Sequence, residues 1–446
     1  MVAVSPRRRR EIIDALRRGT VPQRGLDVMA VGLERFEEAL LAELDGVADG
    51  GAVFKAVRGE YGAGKTFFAR WLTETAKQRG FATAEVQISE TETPLHRLET
   101  VYRRVTESLA TESTPPSAFR EVIDGWLRVL EEDAIAAGAD AADHGEVTRR
   151  ATGLLERRLA AVSRTAPAFA AALRGYHAAT MTGEIATADG LVAWLGGQPS
   201  VAARIRQSAG IRGELDHFGA FGFLQGVLAL LRDSDYRGLV LVLDEVETLQ
   251  RVRSDIREKS LNALRQLLDE VDAGRFPGLY VLITGTPAFF DGTQGVQRLP
   301  PLAARIGVDF SGDPRWDNPR APQVRLVGFQ RESLLELGQR IRGIYAVGSA
   351  EEARIRTLID DAYLDGLAAT ISGQLGGRVG VAPRLYLRTL VDIIDRVEQF
   401  SDYVPPAASA AQLNPADLHE EERAASFLGK SAPAASIDDI DLSVTD

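Results

Sequence analysis

A short apolar segment, a glycine-rich turn and an amphipathic stretch follow one another at residues 52–71, and this succession limits the fold more than any other feature of the chain. The turn reads Gly59-Glu60-Tyr61-Gly62-Ala63-Gly64-Lys65-Thr66, the spacing G-x-x-x-x-G-K-T, between the strand-like Ala52-Val53-Phe54-Lys55-Ala56-Val57-Arg58 and a helix-like run. Each residue type has a physical reason to stand where it does. Glycines let backbone N–H groups turn inward and approach an anion closely. A helix beginning beside Gly64 adds its unpaired N–H groups and positive dipole end at the same point. Lys65 supplies a mobile cation for the β- and γ-phosphates of a nucleotide, and the Thr66 hydroxyl is placed to ligate Mg²⁺.

A second segment answers the first. Gly238-Leu239-Val240-Leu241-Val242-Leu243-Asp244-Glu245 is almost continuously apolar and ends in two carboxylates. Uninterrupted apolarity fits a central parallel strand covered on both faces. Ligands of open α/β sheets sit at the C-terminal strand ends, so these acids are expected on the side of the phosphate loop. Asp244 is the expected carboxylate for Mg²⁺, and Glu245 the group that orients and deprotonates an attacking water. A further strand, Gly278-Leu279-Tyr280-Val281-Leu282-Ile283-Thr284-Gly285-Thr286, brings Thr284 to its end, where the side chain is expected to touch the γ-phosphate or the water.

Alternation at residues 83–89 gives another strand, and Val324-Arg325-Leu326-Val327 a fifth. Ser5-Pro6 reads as an N-cap and first helical position before a short basic helix with Arg7-Arg8-Arg9-Arg10 on it. Gly19-Thr20-Val21-Pro22-Gln23-Arg24-Gly25 reads as extended; by analogy with the many ATPases that hold adenine on such a segment just before a phosphate loop, Val21 is expected at the base. Phe119, Val122, Ile123, Trp126, Leu127 and Leu130 form one helix face, and Phe218, Phe221, Leu224, Leu228 and Leu231 are expected to form another buried one. Between them, residues 133–213 are rich in Ala, Arg and Glu and read as a helical insertion. Leu385, Leu387, Leu390, Val391, Ile394 and Val397 line the last strong helix, with Arg384 just inside its start.

The domain plan is a basic helix at 1–20, an α/β core at 21–328 carrying an insertion at about 95–235, a helical lid at 329–400, and a disordered acidic tail at 401–446. Composition removes several functions. With no cysteine, disulfides and thiolate metal sites are excluded, and the five histidines show no ligand spacing. A net charge of −11 argues against coating nucleic acid without specificity, though a local basic face stays open. No apolar run approaches the ~18–20 residues of a membrane span, and no apolar signal core opens the chain, so a cytoplasmic location without membrane contact is expected.

Together with Trp194-Leu195-Gly196-Gly197, Gly19-Thr20-Val21-Pro22 and Gly380-Val381-Ala382-Pro383-Arg384, these segments resemble the AAA+ superfamily near its origin-recognition clade. Within it the chain is similar to the BREX-system ATP-binding protein family, in its BrxD-like branch, over residues 8–400. The resemblance implies an AAA+ P-loop NTPase fold, a five-stranded parallel sheet flanked by helices with a helical insertion and a C-terminal helical lid. It implies ATP and Mg²⁺ as ligands, ADP as product, a homo-oligomer, and work in phage defence beside DNA, a helicase and a methyltransferase. In ring-forming ATPases the place held here by Arg305, or by its competitor Arg298, gives an arginine finger to a neighbour, and Arg384 would read the γ-phosphate from the lid. Origin-recognition proteins carry a winged-helix domain after the lid, where this chain has the acidic tail, so DNA reading of its own is not implied. Three uses of the nucleotide fit: an ATPase that assembles or remodels a DNA-acting complex, a nucleotide-gated scaffold with little hydrolysis, and a signalling ATPase with the 133–213 insertion as its sensor.

Overall fold

The computed structural model describes residues 4–375 and 383–413, with Leu418 and Arg423 beyond them. Gly380-Val381-Ala382 of the segment that carries the resemblance, and most of the expected tail, lie outside the described residues. The helices, in chain order, are α1 (Pro6–Arg17), α2 (Glu34–Ala48), α3 (Lys65–Gln78), α4 (Leu98–Ser108), α5 (Phe119–Ala136) and α6 (His144–Thr165). They continue with α7 (Pro167–Thr182), α8 (Ile185–Leu195), α9 (Ala203–Ser208), α10 (His217–Asp233), α11 (Ser254–Asp272) and α12 (Pro287–Asp291). Up to residue 413 they continue among the described residues with α13 (Pro300–Ile306), α14 (Arg331–Ala346), α15 (Glu352–Leu358), α16 (Asp361–Gln374) and α17 (Pro383–Gln399). The chain divides into two compact units, one of residues 1–34, 59–71 and 326–446, the other of residues 35–58 and 72–325.

The larger unit is built on five parallel strands in the order β2-β3-β4-β1-β5: β1 Ala52–Arg58, β2 Ala82–Gln87, β3 Leu239–Asp244, β4 Leu279–Gly285 and β5 Gln323–Arg325. This is the five-stranded parallel sheet flanked by helices that the sequence implies. β4 is buried along its whole length and β3 in all but its last residue, because helices cover both faces. Register aligns the C-terminal ends. Gln87 lies opposite Asp244, and Leu243 opposite Ile283, so Asp244 falls level with Thr284 one step further on. β1 carries an unexpected cation: Lys55 is 1 % exposed, and its ammonium pairs with Glu43 and donates to Pro319 O (3.1 Å) and Ala321 O (2.8 Å).

Helices α5–α9 follow α4 and precede α10 along the chain. Asp143 caps α6 by accepting from the Glu146 N–H at 2.9 Å, and Asp216 caps α10 by accepting from Gly219 at 2.8 Å. Phe223 of α10 meets three rings from three helices: Tyr102 at 5.6 Å, Phe169 at 5.2 Å and Trp194 at 5.2 Å, all edge-to-face. Tyr102 donates to Leu195 O (2.7 Å) and Thr106 to Gly196 O (2.8 Å), which latches the end of α8 onto α4. The expected buried face of α10 holds at Leu224, Leu228 and Leu231 and needs correction at Phe218. Phe218 is 84 % exposed and stacks edge-on against His217, while the buried stripe runs through Ala220, Phe223, Leu224, Val227, Leu228 and Leu231. The helix starts at His217, so Phe218 sits in a first turn that projects past the core.

In the smaller unit α1, α14, α16 and α17 enclose a second core of Ile12, Leu16, Leu337, Ile341, Leu367, Ile371, Leu390 and Ile394. Ser5 caps α1, its side chain accepting from Arg8 N, ahead of Pro6. Arg17 binds Asp395 of α17 through two nitrogens, at 2.7 and 2.8 Å, and the Tyr345 hydroxyl lies 2.6 Å from the same carboxylate. Every residue expected on the buried face of α17 is buried. Residues 401–413, the start of the expected tail, include Tyr403, Ala408, Ala411 and Leu413 packed on this core, with Gln374 of α16 bonded to the backbone of Leu413 at 3.0 Å. Among the described residues no helix is long and apolar enough to cross a membrane.

Candidate functional site

The glycine turn belongs to the smaller unit and begins one residue after the C-terminal end of β1. Gly62 and Gly64 have φ of +78° and +89°, backbone that residues with a Cβ adopt only under strain. Gly59 is confined by its neighbours, since a Cβ there would lie 3.1 Å from Ala63 Cβ and 3.3 Å from Leu326 Cβ. The Ala63 N–H donates to Glu60 O at 3.1 Å, closing the turn across Tyr61 and Gly62. Helix α3 then opens at Lys65, with Thr66 half-buried behind it. Lys65 is 9 % exposed, and its Nζ donates to Gly59 O (3.0 Å) and Glu60 O (3.4 Å). The ammonium is therefore held at its own loop rather than extended into solvent.

The extended segment 19–25 lies in the same unit. It leaves α1 through Thr20, whose N–H and Oγ1 both donate to Ala15 O, at 2.9 and 3.1 Å. Val21 O accepts from Arg70 Nη1 of α3 at 2.7 Å, and Pro22 beside it is buried. Arg384, the second residue of α17, reaches this segment: a Cβ on Gly19 (φ +70°) would stand 3.3 Å from Arg384 Nη1. Val21, Lys65, Thr66 and Arg384 thus all belong to one compact unit.

The acid pair stands at the strand ends of the larger unit. Asp244 closes β3, and Glu245 follows with φ +60° and ψ +41°, a left-handed backbone on a residue that is not glycine. Its N–H donates to Asp244 Oδ1 (3.1 Å) and Thr284 Oγ1 (3.2 Å), and its C=O accepts from the Thr248 N–H (3.1 Å) and hydroxyl (3.0 Å). Thr284 is completely buried and donates to Asp244 Oδ1. Its hydroxyl thus bonds both members of the acid pair. Gln87 Nε2 donates to Glu245 Oε2 at 2.8 Å.

Sequence reading missed Gln87 and Arg70. The strand read at 83–89 placed Gln87 mid-strand, whereas β2 ends on it. A polar residue closing a strand beside an acid-terminated one was the available signal. Arg70 gives no local signal, because its partner lies 49 residues back. Arg305 of α13 pairs with Asp269 (2.7 Å) and Asp272 (3.1 Å) of α11, and Arg298 donates to Ser254 Oγ at 2.8 Å. Among the described residues no cluster of three or more His, Asp or Glu is arranged for a metal ion.

The family model described as BREX system ATP-binding protein BrxC/D matches the chain over residues 4–412. No curated protein and no solved structure matches it.

Proposed function

The chain belongs to the BREX system ATP-binding protein family BrxC/D, and we propose that it is an ATPase whose nucleotide state drives assembly or remodelling of a DNA-acting phage-defence complex. The loop at residues 59–66 cradles the phosphates, with Lys65 on the β/γ pair and Val21 at the base. Thr66 and Asp244 are the residues that would hold Mg²⁺, which neutralises charge building on the phosphates. Glu245 takes a proton from water as the water oxygen bonds to the γ-phosphorus. The bond from that phosphorus to the bridging oxygen breaks, and ADP leaves with the electron pair. Thr284 holds Asp244 and the Glu245 backbone in place. Arg384 responds to the γ-phosphate, and Arg305 completes the site of a second copy in a homo-oligomer. A helicase and a methyltransferase are the proposed partners, with DNA reached directly or through them.

The observation that carries hydrolysis, beyond binding, is the acid pair held in a left-handed turn at the end of β3. One observation favours a second reading, a nucleotide-gated scaffold with slow turnover: Gln87 occupies one oxygen of the carboxylate that would activate water. Steady-state turnover of purified protein, with and without duplex DNA, separates them. An ATPase hydrolyses ATP in a Mg²⁺-dependent way that Lys65→Ala abolishes. A scaffold binds ATP in the same experiment and shows no turnover above the Lys65→Ala background.

A further inference from the structure

We infer that Arg70 is a positioning residue that fixes the 19–25 segment against the phosphate-loop helix and thereby makes the site select its base. The inference rests on the nucleotide reading above and goes beyond it by assigning base selectivity to a residue outside the loop motif. Arg70 stands five residues after Lys65 on α3, about 7.5 Å along the helix axis. Its guanidinium donates to Val21 O at 2.7 Å, a bond between a cation and a backbone carbonyl 49 residues away.

The chemistry of the segment explains why an outside anchor is needed. The peptide between Val21 and Pro22 has no N–H, since proline lacks one. Its carbonyl is therefore the only polar group by which that peptide plane can be fixed. Thr20 ties the segment to α1 on one side, through Ala15 O, and Gly25 is packed against Ile12 on the other, where a Cβ would lie 2.6 Å from Ile12 Cδ1. Arg70 fixes the middle from α3, the helix that begins in the phosphate loop. Gly19, two residues before Val21, lies against Arg384 of α17. The segment is thus tied to the phosphate-loop helix at one point and touches the lid-helix arginine at another.

Adenine and guanine present opposite hydrogen-bonding edges, and a backbone edge discriminates between them only if it cannot rotate to suit either. A site built for one pattern leaves buried polar groups unpaired with the other, which is where large selectivity ratios come from. Anchoring the Val21 carbonyl removes that rotation. Inorganic triphosphate has no base, so its binding does not depend on the anchor.

Equilibrium binding of ATP, GTP and inorganic triphosphate to the full chain with Mg²⁺ tests this in wild type, Arg70→Met and Arg70→Lys. Arg70→Met is expected to weaken ATP by about tenfold, the loss of one charged hydrogen bond, and to narrow the ATP-over-GTP preference by a similar factor. Triphosphate binding should stay within about twofold. Arg70→Lys keeps a cationic donor and should restore part of the ATP preference. Equal loss of ATP and triphosphate would overturn the inference, because Arg70 would then be supporting the phosphate loop or the fold. So would an unchanged ATP-over-GTP ratio, or a wild type that binds both nucleotides alike. A wild type that binds triphosphate but no nucleotide would overturn base selection alone, whereas one that binds none of the three would remove the nucleotide reading itself.

Discussion

Glu245 adopts a backbone conformation that costs a residue with a Cβ about 1–3 kcal/mol, at φ +60°. The hydrogen bonds its N–H donates to Asp244 and Thr284, and the one its carbonyl accepts from Thr248, are what keep it there. The side chain is fixed separately, by Gln87. Breaking that contact leaves the loop and the backbone turn intact but frees the carboxylate to reach water. Gln87→Ala should therefore raise basal ATP turnover by about threefold to tenfold, the range of one typical net hydrogen bond, with ATP affinity unchanged. A coupled phosphate-release assay checks it, and unchanged or lower turnover would show that Gln87 does not restrain Glu245. At this scale the sequence was most legible where partners are neighbours in the chain: Gly59 to Thr66 and Asp244-Glu245 declare themselves by local spacing. Gln87, Arg70 and the engagement of Thr284 depend on which strands and helices become adjacent, and a single sequence does not carry that information.

Among elements, the strands were readable because β3 and β4 are buried on both faces and show it as unbroken apolarity. β5 spans only Gln323–Arg325, too short for a pattern to fix its ends, and the residues read as its continuation lie outside it, with Val327 41 % exposed. Lys55 shows the converse limit, a charge that alternation would send to solvent but that Glu43 and two loop carbonyls hold inside. Helix α10 shows a third. Of the residues expected on its buried face, Leu224, Leu228 and Leu231 are buried, whereas Phe218 is exposed. The sequence did not single out Phe223, on which rings from α4, α7 and α8 converge. Phe223→Ala should destabilise the fold by about 3 kcal/mol or more, as large-to-small changes in a packed core do. Phe218→Ser should stay within about 0.5 kcal/mol, as an exposed substitution does. Urea unfolding of both variants checks the assignment, and similar losses in the two would contradict it.

At the scale of the molecule, the two compact units are not successive along the chain. The smaller one gathers the N-terminal helix, the phosphate loop and the segments after residue 326, and the boundary between units crosses helix α3 at Trp71. A reading that proceeds along the sequence assigns domains as consecutive stretches, and an arrangement in which a thirteen-residue segment, Gly59–Trp71, groups with distant parts of the chain leaves no mark in composition. The parallel sheet and the ATP-binding family membership were nevertheless legible, the first from unbroken apolar strands and the second from local segments such as Gly59 to Thr66. The central claim, that ATP is bound through the loop and hydrolysed through the acid pair, is tested most directly by measuring ATP affinity and turnover together in Glu245→Gln and Lys65→Ala. The account predicts that Glu245→Gln binds ATP as wild type does while turnover falls by about a hundredfold or more, the contribution of a general base, and that Lys65→Ala loses binding. Wild-type turnover in Glu245→Gln would contradict it.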